Sequence, residues 1–132
     1  MTRKEIYKEI EGMFGFVPTF IKSLSDSTLG PEWELMKKVE LEEGVIPNKY
    51  KQLMGLGIHA VGKCQYCTLF HTEMAKLHGA TDSEIEEVLE YAKNTAGWSA
   101  YVNGLQLNYE TFKDEVRRAC DYVRAKQAKK AA

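Results

Sequence analysis

Apolar side chains recur at three- and four-residue intervals along most of the chain, and nowhere alternate long enough to suggest a strand. Ile6, Ile10 and Met13 predict a first helix over Lys4–Met13, with Gly12 and Gly15 marking its end. Phe14 to Ile21 is apolar but holds Pro18, and a short helix is expected from Thr19 to about Leu24. Ser25 to Pro31 is rich in turn formers and reads as a loop, with Pro31 opening a helix over Glu32–Leu41. Glu42 to Pro47 turns the chain. From Pro47 to Val61 apolar groups occur nearly all round, so this helix is expected to be central and buried. Gly55 and Gly57 each cost about 1 kcal/mol inside a helix, which predicts a neighbour packed closely against them.

Gly62 is expected to interrupt that helix, placing Cys64 in the first turn of the next, which closes at His78-Gly79. Thr81 and Glu84 form a capping box for a helix carrying Ile85, Val88, Leu89 and Ala92 and continuing through Leu105, with Gly97 a point of division. Asn108 caps a last helix whose inward positions are Phe112, Val116, Cys120 and Val123, and residues 126–132 are expected to fray. Trp33, Trp98 and Tyr101 are expected in the core or at a subunit interface. The prediction is an all-α chain of about six or seven helices in a single domain, residues 1–132.

Composition narrows the function classes. A net charge of −1 gives no reason to expect nucleic acid or an anionic membrane as partner. No stretch approaches the roughly 20 apolar residues of a membrane span, and the first ten residues lack the apolar run of a signal peptide. A cytoplasmic location is the expectation. There three cysteines, an odd number, argue against a structural disulfide framework.

Two of those cysteines lie in Cys64-Gln65-Tyr66-Cys67-Thr68-Leu69-Phe70-His71. On a helix Cys64, Cys67 and His71 fall on one narrow arc. A thiol is nucleophilic as thiolate, which a helix N-terminus favours, and Cys67 is one turn from Cys64, close enough to form or resolve a disulfide. His71 is four residues past Cys67, so its ring is expected to reach that sulfur and carry its proton. The alternative for the same triple is a structural zinc site, with His59, His78 or Cys120 as fourth ligand. Cys120 otherwise reads as a small hydrophobe and His78 as a helix C-terminal residue.

The Cys64–Thr72 stretch with Ala75, Gly79-Ala80-Thr81 and Glu84-Ile85, together with Pro47–Met54 and Gly15–Pro18, resembles the AhpD-like alkylhydroperoxidase and carboxymuconolactone decarboxylase superfamily over most of residues 14–124. The resemblance implies a helical fold working as a homo-oligomer, commonly a trimer or hexamer, that reduces peroxides or exchanges disulfides. It makes Cys67 the cysteine that attacks peroxide, Cys64 its resolving partner and His71 the histidine of a proton relay. The substrate is then a small hydroperoxide and the partner an external thiol or disulfide reductant, with no bound metal, flavin or other cofactor. The decarboxylase branch lacks the cysteine pair. A lyase acting on a lactone or other carbonyl compound, with His71 as base, is a further alternative, as is a redox-sensing module without turnover.

One position departs from the peroxidase pattern. Twelve residues before the first cysteine, where those members carry glutamate, stands Gln52. An amide orients but does not accept and return a proton as a carboxylate does. His59, two turns on and nearly on the same face, is the residue expected to take over part of the relay.

Overall fold

The computed structural model describes residues 1–131, and every regular element among them is helical. They are α1 (Arg3–Phe14), α2 (Thr19–Lys22), α3 (Asp26–Met36), a π-helical turn (Lys37–Leu41), α4 (Asn48–Val61), α5 (Gln65–Leu77), α6 (Asp82–Leu105) and α7 (Tyr109–Ala131).

The first core gathers Ile6 and Ile10 of α1, Val17, Ile21 of α2, and Leu29 and Trp33 of α3. Its composition explains the clearest departure from the sequence expectation. The stretch read as a loop, Ser25–Pro31, is instead the start of α3, and Pro31 lies inside the helix. A proline there forgoes one backbone bond at a cost of about 3 kcal/mol. Leu29 and Trp33, four residues apart on one face, are only 1% and 2% exposed, and their burial offsets that cost. Ser25 holds the N-cap position, where its hydroxyl lies 2.9 Å from those of Ser27 and Thr28 and not on the helix backbone.

Where α-helix was expected through Leu41, the chain widens into the π-turn, closed by the Glu42 N–H donating to the Lys37 carbonyl at 2.8 Å. Side chains of α4 then take up the three carbonyls that follow in order. Gln52 Nε2 donates to Glu40 O (3.0 Å), Asn48 Nδ2 to Leu41 O (2.9 Å) and Lys51 Nζ to Glu42 O (2.9 Å). A helix end leaves such carbonyls without intrahelical partners, so α4 acts as their cap and fixes the turn against itself.

α4 packs on α5 and α6. Asn48, Gln52, Leu53 and Leu56 form its buried face, while Tyr50, Met54, Ile58 and Val61 are exposed. Within one chain, burial all round is therefore corrected to burial on one side. Of its two glycines only Gly55 is required by packing: a Cβ there would lie 2.6 Å from the His71 ring, whereas one on Gly57 meets Val88 at an ordinary 3.6 Å.

The Thr81–Glu84 capping box is present, with Glu84 N–H to Thr81 Oγ1 at 3.1 Å and the return bond at 2.8 Å. α6 then runs undivided through Gly97. Asn108 accepts from the Thr111 N–H at 3.0 Å, and α7 continues to Ala131 through the segment expected to fray; Ala132 lies outside the described residues. The α7 positions expected inward are not covered within one chain: Phe112, Val116, Cys120 and Val123 are all exposed, as are Trp98 and Tyr101. No described helix is long and apolar enough to cross a membrane.

Candidate active site

The turn between α4 and α5 sets the cysteine geometry. Gly62 ends α4, its N–H donating to Ile58 O at 2.9 Å, but the left-handed residue is Lys63, with φ 59°. That reversal brings the Cys64 N–H to His59 O at 3.1 Å. Cys64 is therefore the N-cap of α5 instead of a first-turn residue, and its sulfur accepts the Cys67 N–H at 3.4 Å.

This placement separates the two thiols electrostatically. Donation from the Cys67 backbone N–H, and then from the Cys67 thiol, holds Cys64 below the ordinary thiol value. Cys67 moves the other way, raised by its bond to Cys64, by burial, and by the charges of Cys64 and Glu40. The first negative charge in the reduced pair thus belongs to Cys64, and Cys67 keeps its proton to higher pH.

The histidine expected to carry that proton is held through one nitrogen by Gln52. His71 is 7% exposed, and its Nδ1 lies 2.7 Å from Gln52 Oε1. Because Gln52 Nε2 already donates to a backbone carbonyl, its Oε1 must accept, so His71 Nδ1 carries hydrogen and Nε2 is a free lone pair. Burial lowers the His71 pKa, the Glu40 charge opposing and His59 reinforcing, so the ring is neutral at neutral pH. His59 stacks flat on it, centroids 5.3 Å apart and planes 7° from parallel.

The imidazole gathered with the thiols is that of His59. A ring nitrogen of His59 and the two sulfurs all lie within 4.8 Å of one another, a set that His71 does not join. These three atoms are also the donor set among the described residues that could share one soft cation.

Two openings reach this cluster. A cavity of about 440 Å³ is lined by Phe20, Met36, Glu40, Tyr66 and Phe70 around His59, Cys67 and His71. On the other side a more open hollow of about 540 Å³ exposes Cys64 beside Lys63, Gln65 and Thr68, with His59 lining this one too. Cys67 is thus approached through a partly open, largely apolar space and Cys64 from a more open one. Cys120 and His78 lie in neither lining.

Sequence reasoning did not find Glu40. It sits 24 positions before Cys64 on an exposed-looking stretch, Lys37-Lys38-Val39-Glu40-Leu41, and only the π-turn brings it to the cavity. No local signal marks it.

A helical layer of this topology with a cysteine pair at the α4–α5 turn is an AhpD-like arrangement. The crystal structure of the alkylhydroperoxidase AhpD core from Rhodospirillum rubrum superposes with a TM-score of 0.73 at 27% identity, covering 83% of this chain and 84% of that one. The carboxymuconolactone decarboxylase family matches residues 30–108, and the chain belongs to that family. A curated relative, uncharacterized protein 4 in the cox locus of Paracoccus denitrificans, is 28% identical over 68 residues, which is 52% of this chain and 61% of that protein.

Proposed function

We propose that this chain is a thiol peroxidase or disulfide oxidoreductase of the AhpD-like type, acting through Cys64 and Cys67. The observation that carries the reading is the pair of thiols, one with lowered and one with raised pKa, within 4.8 Å of each other and of His59, at the wall of an apolar cavity. Thiols this close can condense to a disulfide without rearrangement of the helices. The apolar approach to Cys67 suits a small organic hydroperoxide, and the more open approach to Cys64 suits a bulkier thiol reductant.

In the proposed cycle Cys67 becomes a sulfenic acid, Cys64 displaces water to close the disulfide, and an external dithiol reopens it. The test is intact mass after stoichiometric hydroperoxide. Wild type should lose two hydrogens per chain and recover them with dithiol, while Cys67→Ser should not form the disulfide. Wild-type thiols that stay unchanged sink the reading.

The His59–Cys64–Cys67 donor set favours one second reading, a zinc-holding module. Tightly bound zinc that protects both thiols from peroxide identifies it. Lyase turnover surviving replacement of both cysteines would instead point to carbonyl chemistry at His71. The exposed apolar face of α4 and the uncovered stripe of α7 support assembly as a homo-oligomer.

A further inference from the structure

The reduced pair poses a proton problem with more than one base at hand, since His59 lies within 4.8 Å of both sulfurs and His71 lines the same cavity. Cys67 must lose its proton, and the alkoxide leaving from a hydroperoxide must gain one. Gln52 has no titratable proton. His71 is turned to Gln52 through Nδ1 and stacked beneath His59. The titratable groups facing the cavity are Glu40 from the π-turn, His59 from α4, and Tyr66, Cys67 and His71 from α5; α2 and α3 contribute apolar Phe20 and Met36. Glu40 is the one carboxylate among them.

We propose that Glu40, carried into the cavity by the π-turn, takes the Cys67 proton and returns it to the leaving alkoxide. This rests on the thiol-peroxidase reading above. The turn that carries Glu40 is held by the same residue that holds His71, since Gln52 donates to the Glu40 carbonyl and accepts from the imidazole. The amide is thus a positioning residue between two parts of the site. A carboxylate at position 52 would face the Glu40 carbonyl with no hydrogen to offer unless protonated.

The step balances as follows. Cys67–SH gives its proton to the Glu40 carboxylate, and the thiolate attacks the terminal oxygen of ROOH. The O–O bond breaks as S–O forms, leaving Cys67–SOH and RO⁻. Glu40 passes its proton to RO⁻, giving ROH, and Cys64 then condenses with the sulfenic acid to release water. Sulfur supplies the two electrons, and the dithiol reductant restores them.

The deciding experiment compares Glu40→Gln with wild type by two readouts. The side chain is exposed, so the variant should keep the helical spectrum and melting temperature of wild type. Peroxide-dependent disulfide formation at pH 7 should slow by about 100-fold, the scale of a lost general acid–base group. Alkylation of Cys67 by iodoacetamide should move to lower pH, because a negative charge opposing the thiolate is gone. Formate added to Glu40→Ala should restore part of the rate. A Glu40→Gln variant that oxidises as fast as wild type, or faster in step with its alkylation, shows that Glu40 is only a nearby charge. Wild type that forms no disulfide with peroxide overturns the underlying reading and this one with it.

Discussion

Gly55 and Gln52 show how much of this site depends on single residues that do no chemistry. Any Cβ on Gly55 enters the His71 ring, so Gly55→Ala must push the imidazole out of its stack on His59. We expect a loss of about 1–3 kcal/mol despite the gain in helix propensity, read as a lower urea midpoint. Gln52→Ala leaves the Glu40 carbonyl and His71 Nδ1 without partners at a buried position and should cost about 2–4 kcal/mol. His71 carries a pH signature of its own. Its folded pKa lies below the ordinary 6.5, so the unfolded chain binds the proton more readily. The contribution of the neutral ring is full above about pH 6.5 and is lost as pH falls from there through the depressed folded value. Chemical denaturation at pH 5 and 7.5 should show this difference in wild type and less of it in His71→Phe. Cys64, held below the ordinary thiol value, should be alkylated ahead of Cys67 when limiting iodoacetamide is applied at pH 7, as peptide mapping would show.

At the scale of elements, the junction of the π-turn with α4 matters most. The consecutive carbonyls of residues 40–42 are capped by Gln52, Asn48 and Lys51, so the turn and α4 behave as one unit. Asn48→Ala removes the middle cap and should loosen Glu40 without touching the cavity. The expected loss is about 1–2 kcal/mol, with faster amide exchange in residues 42–45 than in α5. This junction was hidden from a sequence reading because its donors and acceptors are up to twelve residues apart, and a single π-turn is too short to leave a spacing of its own in the sequence. The missed start of α3 has a different cause. Ser25–Pro31 carries turn formers at nearly every position, and only the core around Trp33 reveals why they are helical. By contrast the α4–α5 break, the Thr81 capping box, the Asn108 cap and the His78-Gly79 stop rest on local chemistry, and the sequence located them.

For the whole molecule, the apolar surface left open by one chain is the dominant fact. Ile58 is 66% exposed beside a groove formed by α4 and α6, and α7 presents Phe112, Val116 and Val123 to solvent. These are the positions that periodicity assigned to the interior, and a second chain would restore that assignment. We expect Ile58→Asp to shift the protein to a smaller species by sedimentation velocity and to lower its melting temperature. Retention of the wild-type sedimentation coefficient would show that this face is not an interface.

The sequence by itself determined the all-helical class, the cysteine pair at a helix start, Gln52 in place of a carboxylate, and the family. The first two follow from spacing and capping within a few residues, where local interactions are strong enough to decide, and the last two from a resemblance that runs over most of the chain. Which imidazole meets the thiols and which carboxylate faces them were decided only by the folded structure. These depend on how the chain turns between elements: His59 is carried to the sulfurs by the Lys63 reversal, and Glu40, far away in the chain, to the cavity by a turn capped from α4. Helical periodicity says which face a side chain occupies, but the proton path is set by what the packing of the helices places opposite it.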